Sequence, residues 1–233
     1  MCVDYRPLNA LTVVDQYPLP RIEELIDQVG STAKFFSKLD LHSGFHQIRL
    51  VPEDVPKTAF KTKYGTFQYR VMPFGLCNAP ATFQRTMDLV FGSLRQFVGV
   101  YMDDVLVFSN TLEEHLEHLR IVYRKLTEEL LYANPEKCTF AQPEVAYCGF
   151  IVGSAGVRAQ PEKLAIIHAW PQPQEAVDVR SFLGLCGFYQ RFVSNYAQVA
   201  APLNDLLRKN LEWKWTATEE SSFQSVKCYQ PQC

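Results

Sequence analysis

The sequence lacks a surplus of charge of either sign. Its 233 residues include 23 lysines and arginines and 25 aspartates and glutamates, which gives a formal net charge of −2 at pH 7. This balance excludes the globally basic surface that many nucleic-acid-binding proteins have, so any site for a polyanion must be local. The 47% hydrophobic content is typical of a globular protein with a buried core and excludes a disordered or collagen-like chain.

The sequence also lacks a paired cysteine pattern, an apolar stretch at its first residues and a long hydrophobic run. Its seven cysteines are an odd number, and their spacing contains neither a C-x-x-C pair nor a zinc-ligand pattern. This scatter favours reduced thiols and therefore the cytoplasm or nucleus. Residues 1–6 carry an acid and a base where a signal peptide is apolar, and no later run approaches the length of a membrane span. The sequence therefore predicts no export and no membrane segment.

Apolar periodicity and proline positions predict the order of helices and strands. Helices are expected over 22–29, with Gly30 as the stop, from Pro80, from Thr111 with Glu114 as a capping box, and from Pro161. Strands are expected over 35–39, 47–51, 58–61, 67–71, 97–102, 105–108, 137–140 and 145–152. Helices and strands do not alternate regularly in this order, which predicts an α+β fold.

Three aspartates form the candidate site. Asp103 and Asp104 separate two apolar strand-like runs, so we expect a tight hairpin with both acids at its tip. Asp40 ends another strand-like run, and its carboxylate would join them if the two strands are neighbours. Adjacent carboxylates repel one another unless a cation neutralises them, and Mg²⁺ prefers such oxygen ligands. The competing interpretation of the pair is a solvated turn.

Three ordered motifs around these acids resemble those of a known polymerase family. Residues 101–104 (YMDD) and 39–48 (LDLHSGFHQI) are similar to palm motifs of reverse transcriptases, and residues 74–84 (FGLCNAPATFQ) resemble the motif between them in gypsy-class LTR retrotransposons. Residues 179–185 (VRSFLGL) resemble the connection segment of that branch. The resemblance implies an RNA-directed DNA polymerase core that uses two Mg²⁺ ions to join dNTPs to a primer 3′-OH on an RNA or DNA template.

The resemblance implies a role for each matching residue. The metal site for the two Mg²⁺ ions would comprise Asp40, Asp103, the backbone carbonyl of Leu41 and, in a supporting role, Asp104. The three aspartates would be the catalytic residues. The nucleotide would be contacted by Phe45, Phe74, Gly75, Asn78 and Lys137, and the bulk of Phe45 would exclude a 2′-hydroxyl. Primer and template would be contacted by Arg6, Gln84, Tyr147, Cys148, Gly149 and Phe150. Core packing is the alternative for the two phenylalanines of the nucleotide set, and a solvated side chain is the alternative for the lysine.

The resemblance also implies a domain order. Residues 1–157 would form a right-hand palm, an antiparallel sheet with packed helices, and incomplete fingers. A small connection segment would follow over 158–215, and 216–233 would begin an RNase H-like region. The chain would then be a fragment of a Pol polyprotein that lacks the upstream basic strands of the fingers.

Two other interpretations stay open at this point. A catalytically silent remnant would keep the fold and weak nucleic-acid binding, and a metal-dependent nuclease would use the same ions. No pattern in the sequence indicates an oligomeric state.

Two smaller patterns have structural interpretations. His115 and His118 are spaced i, i+3 on the helix that begins at Thr111, among glutamates that predict a solvated charged face. Trp213 and Trp215 could form a stacking platform for bases, but a packing strand is the preferred interpretation.

Overall fold

A computed structural model describes residues 3–29, 32–208 and 213–228. The helices are α1 (Arg6–Leu11), α2 (Ile22–Gln28), α3 (Ala79–Phe91), α4 (Leu112–Glu128), α5 (Pro161–His168), α6 (Ala176–Gly187), α7 (Tyr196–Val199), α8 (Ala201–Asp205) and α9 (Ala217–Lys227). The strands are β1 (Phe35–Asp40), β2 (Phe60–Thr62), β3 (Gly65–Phe67), β4 (Val98–Tyr101), β5 (Asp104–Ser109), β6 (Thr139–Gln142), β7 (Glu144–Tyr147), β8 (Phe150–Gly153) and β9 (Gly156–Ala159). The predicted α+β class is confirmed.

The chain divides into two compact units. The first comprises residues 1–148 and 152–156, and the second comprises 149–151 and 157–233. The expected helix stop at Gly30 and the last five residues of the chain lie outside the described residues. In the described part of the chain, no helix combines the length and the apolar composition that crossing a membrane requires.

A four-stranded antiparallel sheet of order β4-β5-β1-β6 forms the centre of the first unit. Val105, Leu106 and Val107 of β5 are fully buried, as expected for an apolar run with both faces covered. β1 pairs with β5 in a register that sets Asp40 opposite Asp104 at one end and Phe35 opposite Ser109 at the other. Because register is fixed along the whole pair, the position of the candidate acids follows from the packing of the apolar residues between them.

Helix α3 packs as its periodicity predicts. Phe83, Met87 and Phe91 follow one another at i, i+4 and i+8, and all three are buried. Pro80 occupies the first turn, where its missing N–H has no helical partner to lose. The helix therefore carries a continuous apolar stripe into the core of the first unit.

Helix α4 begins where the sequence predicts and buries part of one face. The hydroxyl of Thr111 accepts a hydrogen bond from the backbone N–H of Glu114, which confirms the N-terminal cap. Val122 and Leu126 are buried, whereas Leu116 is exposed. The buried face of α4 therefore includes Val122 and Leu126 but not Leu116.

Several strand predictions are wrong in extent. Residues 47–51 form no strand, because Gly44–Gln47 is a 3₁₀ turn and only Arg49 makes an isolated bridge, to Val71. β2 and β3 form a short hairpin that covers only parts of 58–61 and 67–71. The predicted strand over 145–152 is two strands, because Cys148 and Gly149 adopt φ values of 47° and 85° and form a turn.

The second unit is mainly helical and has an aromatic core. The Phe182 ring of α6 lies 4.7 Å from the Phe223 ring of α9, measured between centroids. The rings of Trp213 and Trp215 stack on one another at 6.0 Å, and the indole N–H of Trp215 donates to a carboxylate oxygen of Glu220 at 2.9 Å. These residues form no strand, and Trp215 packs rather than standing free as a platform for bases.

Candidate active site

The three aspartates meet at one end of the β1–β5 pair. Asp40 lies directly opposite Asp104 in the antiparallel register, and directly opposed residues point to the same face of a sheet. The backbone N–H of Leu41 donates to the carbonyl of Asp103 at 3.1 Å. Two strands that are distant in sequence thus bring the three acids to the same end of the sheet.

The turn that carries these acids differs by one residue from the expected hairpin. Tyr101 pairs with Asp104, so Met102 and Asp103 form the two-residue turn. Met102 has a φ of 53°, a left-handed conformation that is unfavourable for a residue with a side chain. The two adjacent acids therefore differ: Asp103 lies in the turn, whereas Asp104 is the first residue of a strand.

Two lysines face the acids. Lys38 Nζ lies 2.9 Å from Asp104 Oδ1, and both side chains are about three-quarters buried, with 24% and 23% exposure. Burial raises the pKa of Asp104, and the neighbouring Asp103 and Asp40 add to the increase, whereas Lys38 lowers that pKa. Lys137 Nζ lies 3.7 Å from Asp40 Oδ1, and its side chain is 66% exposed. The lysines thus balance part of the charge that the acids bring together.

The donor atoms at this end are of the kind that Mg²⁺ prefers. The backbone at Asp40 and Leu41 lies beside the backbone at Asp103. Two carboxylates and the carbonyl of Leu41 are therefore available at this end of the sheet. Within residues 3–29, 32–208 and 213–228, however, no group of three His, Cys, Asp or Glu side chains is arranged to hold a metal ion. The Asp104 carboxylate is paired with Lys38. The chemistry of the site fits the ion, but the carboxylates do not form a finished cage.

Gly44 is a residue of the site that the sequence reasoning did not single out. A Cβ at this position would lie 3.0 Å from the Phe83 ring and 3.2 Å from the Cβ of Asp103. Any side chain would therefore displace either the core of α3 or the acid-bearing turn. The position of Gly44 four residues after Asp40, inside the same motif, is the signal that could have identified it.

Phe45 and Phe74 lie in one aromatic cluster. The Phe45 ring lies 5.1 Å from that of Phe74 and 5.5 Å from that of Phe83. Phe74 is 56% exposed, so one side of the cluster is open to solvent, whereas Phe45 also packs against the buried core. Both the packing role and a ligand-facing role are compatible with this placement.

The next two residues predicted to contact the nucleotide are tied to the N-terminal segment. Gly75 has a φ of 95°, which favours glycine, and its carbonyl accepts a hydrogen bond from the side chain of Asn9 at 2.8 Å. The Asn78 amide donates to the carbonyl of Val13 at 2.8 Å and accepts from the N–H of Asp15 at 3.0 Å. Asn78 is thus bonded to protein backbone in this structure.

Arg6 is exposed but already paired. Its guanidinium lies 2.6 Å from Asp4 Oδ2, two residues away on the same surface. An exposed pair of this kind contributes little to stability, so a phosphate could displace the carboxylate.

Two residues expected to contact nucleic acid are inaccessible. Gln84 is fully buried and accepts the backbone N–H of Met102 at 2.8 Å, so it supports the acid-bearing turn from inside the core. Tyr147 is also fully buried. Neither side chain presents an atom at the surface, which corrects the expectation that these two residues touch primer or template.

The remaining residues predicted to contact primer or template, Cys148, Gly149 and Phe150, lie at a turn. Cys148 is partly buried, and burial is the main reason why the pKa of its thiol rises to about 12. In the second unit, the Gly149 carbonyl accepts the hydroxyl of Tyr189 at 3.1 Å, and Phe150 is buried against the Phe188 ring at 5.0 Å. Cys148 and Gly149 are thus partly exposed, whereas the Phe150 side chain is not.

A buried histidine is the clearest residue that the sequence reasoning misplaced. His115 has no exposed surface; its Nε2 lies 2.7 Å from the hydroxyl of Ser37 and its Nδ1 lies 2.8 Å from that of Ser109. Burial, followed by the proximity of His118, lowers the pKa of His115. The prediction of a solvated face is therefore wrong for His115, which shares the spacing of Val122 and Leu126.

Comparisons with known proteins identify the family of the chain. The family model described as "Reverse transcriptase (RNA-dependent DNA polymerase)" matches residues 1–152. The chain is 41% identical over 208 residues to the retrovirus-related Pol polyprotein from transposon 297 of Drosophila melanogaster, covering 89% of this chain and 20% of that protein. It is 38% identical over 229 residues to the transposon Tf2-3 polyprotein of Schizosaccharomyces pombe, covering 97% and 17%. The chain thus spans about a fifth of the length of these relatives.

A solved structure shows the same fold. The foamy viral protease-reverse transcriptase in complex with double-stranded DNA matches with a TM-score of 0.88 over 96% of this chain and 40% of that one, at 24% sequence identity. This likeness confirms the predicted polymerase palm as a fold. Together with the family model and the retrotransposon relatives, it shows that the chain belongs to the reverse transcriptase family of LTR retrotransposons.

Proposed function

We propose that this chain is the polymerase core of a retrotransposon reverse transcriptase. It would transfer a nucleotide from a dNTP to a primer 3′-OH in a reaction that depends on two Mg²⁺ ions. The observation that carries the proposal is the β1–β5 register, which sets Asp40 opposite Asp104 and beside the turn of Asp103. A solvated acidic turn would not need a third carboxylate from a distant strand.

The metal ions would be held by Asp40, Asp103 and the carbonyl of Leu41. When bound, Mg²⁺ supplies positive charge to the triphosphate and increases the acidity of the primer hydroxyl. Asp104, which pairs with Lys38, would support these ligands with its negative charge. Lys137 is exposed beside Asp40, which suits a contact with the triphosphate or a proton donated to the leaving pyrophosphate.

The nucleotide would bind against the aromatic cluster. The partly exposed Phe74 offers a ring face, and Phe45 is wedged between it and Phe83, so its bulk has little freedom to move away from a 2′-hydroxyl. Gly75 and Asn78 would hold the N-terminal segment beside the nucleotide through their hydrogen bonds to it. Excluding the ribose hydroxyl by a packed ring would select dNTPs.

Primer and template would be bound by local features, because the chain has no global positive charge. Arg6, and the backbone of the turn at Cys148 and Gly149, are the accessible candidates. Foamy viral relatives are described in complexes with double-stranded DNA and with an RNA/DNA hybrid. A reducing compartment, either cytoplasm or nucleus, suits the scattered cysteines.

Primer extension by the purified chain on an RNA template tests the proposal. We expect incorporation that requires Mg²⁺ and falls at least about a thousandfold in Asp103→Asn, because removal of a ligand charge removes metal-dependent stabilisation of the transition state. Glu117→Gln on the exposed face of α4 is the matched control and should retain wild-type activity. Circular dichroism would show that both variants fold.

The outcome also separates the other two interpretations. Retained binding of primer–template without any incorporation by the wild-type chain would favour the silent remnant. Loss of template without primer extension would favour the nuclease. Equal incorporation by wild type and Asp103→Asn would contradict the assignment of the site.

A further inference from the structure

The turn that carries Asp103 is held from inside the core by one side chain. Met102 has a left-handed φ of 53°, and its backbone N–H donates to Gln84 Oε1 at 2.8 Å. Gln84 is fully buried on α3, so water cannot replace it as the acceptor. The position of Asp103 therefore depends on how the amide of Gln84 is oriented.

An amide can present either its oxygen or its nitrogen, and only the oxygen can accept the N–H of Met102. Gln84 Nε2 donates to Asp88 Oδ1 at 3.2 Å, and it also lies 3.5 Å from the carbonyl of Val100. An ionised carboxylate accepts hydrogen bonds and donates none, so Asp88 attracts the NH₂ group of Gln84. The oxygen of the amide then faces the turn.

Asp88 is itself held in place. The hydroxyl of Tyr17 donates to Asp88 Oδ2 at 2.6 Å, and Arg95 lies 3.8 Å from Oδ1. The guanidinium of Arg85 covers the Tyr17 ring at 4.7 Å and is bonded to Asp15 at 2.7 Å. The Tyr17 side chain is therefore held at its ring by Arg85 and at its hydroxyl by Asp88.

We propose that Tyr17 and Asp88 are positioning residues for the acid-bearing turn. They set the amide orientation of Gln84, which holds Met102 and so places Asp103. The connection runs from the N-terminal segment through α3 to the acid-bearing turn. The structural part of this inference stands on the contacts alone, and its consequence for catalysis rests on the proposed polymerase function.

An exchange of hydrogen-bond donor and acceptor tests the proposal. Gln84→Glu puts a second carboxylate beside Asp88, and the repulsion should move side chain 84 away from the turn. Adding Asp88→Asn restores one donor and one acceptor, because the asparagine can donate to the new carboxylate at position 84 and accept from Tyr17. Gln68→Glu, an exposed position with the same chemical change, is the control.

The first measurement is hydrogen exchange of the Met102 backbone amide by NMR. We expect exchange to accelerate about tenfold or more in Gln84→Glu, to a smaller degree in Asp88→Asn and Tyr17→Phe, and to return close to the wild-type rate in the double variant. The second measurement is the Mg²⁺ concentration for half-maximal primer extension, which should rise and recover in the same order. A general loss of stability would instead accelerate exchange throughout the core.

Each result decides the matter. Unchanged exchange at Met102 in both Gln84→Glu and Asp88→Asn would overturn the proposal, as would a double variant no better than Gln84→Glu. Asp88→Asn keeps the test valid if Gln84→Glu fails to fold. If exchange responds and is rescued but no variant extends a primer, the positioning of the turn is supported and the proposed function fails separately.

Discussion

The two ends of the β1–β5 pair carry opposite kinds of polar group. At one end, Asp40 and Asp104 are charged and partly exposed, and lysines face them. At the other end, Ser37 and Ser109 are buried and bonded to the neutral ring of His115. The same pair of strands thus has a charged end that solvent reaches and a neutral end that it does not.

The neutral end is a connected chain of hydrogen bonds. The backbone N–H of Ala141 donates to the hydroxyl oxygen of Ser37 at 2.9 Å, and Ser37 Oγ lies 2.7 Å from Nε2 of His115. Ser109 Oγ lies 2.8 Å from Nδ1 of His115 and 2.8 Å from Nδ1 of His118. Both ring nitrogens of the buried His115 thus have partners, whereas the acid end leaves negative charge for an external cation.

Removing the centre of the neutral end should have the largest effect on stability. His115→Ala leaves the hydroxyls of Ser37 and Ser109 without their partner and opens a cavity, so we expect a loss of about 2–4 kcal/mol in the free energy of unfolding. Urea denaturation at pH 7.5 measures it.

A substitution at the charged end should change the free energy of unfolding much less. Asp103→Asn removes one of three neighbouring negative charges, and we expect a change within about 0.5 kcal/mol or a small gain. Equal losses in His115→Ala and Asp103→Asn would show that the two ends do not differ in the way that their contacts indicate.

The pH dependence of stability should also come from the neutral end. The pKa of His115 is lowered in the folded chain, so the unfolded chain binds the extra proton first as pH falls below about 6.5. Stability is therefore complete above that pH and declines below it, by at most about 1.4 kcal/mol per pH unit for this one proton.

Denaturation from pH 8 to pH 5 measures this dependence. His115→Gln, which cannot titrate, should have a flatter profile than the wild type over the same range. A wild-type profile as flat as that of the variant would mean that His115 does not control acid stability.

The sequence predicts the structure best where the same apolar pattern determines both the packing of an element and the position of the acids. The apolar run of β5 predicts a central strand. Because Asp40 ends the strand that pairs with β5, the register brings the acids together. The stripe of Phe83, Met87 and Phe91 likewise predicts how α3 packs. These elements have strong periodicity, which is why local reasoning reaches their tertiary position.

It was least informative where side chains of the same type do different work. The motif around Gln84 predicts a contact with nucleic acid, but the side chain is buried and bonded to the turn at Met102, 18 residues away. The glutamates around His115 predict a solvated side chain, although the spacing of His115 matches that of the buried Val122 and Leu126. Partners that are distant in sequence decide the burial of a polar residue, and periodicity alone does not identify them.

The smallest expected effect is a pKa change at the charged end. Burial and the other two aspartates raise the pKa of Asp104, while Lys38 lowers it. Lys38→Met should therefore raise the pKa of Asp104 further, measured by NMR of its carboxyl carbon. Lys137→Met is the control, because Lys137 faces Asp40 and should affect Asp104 less.

The same substitution should change how stability depends on pH. An acid with a raised folded pKa loses stability as pH rises through that pKa, so Lys38→Met should be less stable than wild type at pH 7. The difference should disappear below about pH 4, where Asp104 is protonated in the folded and unfolded chains alike. An unchanged Asp104 pKa in Lys38→Met would mean that solvent, and not the lysine, balances this carboxylate.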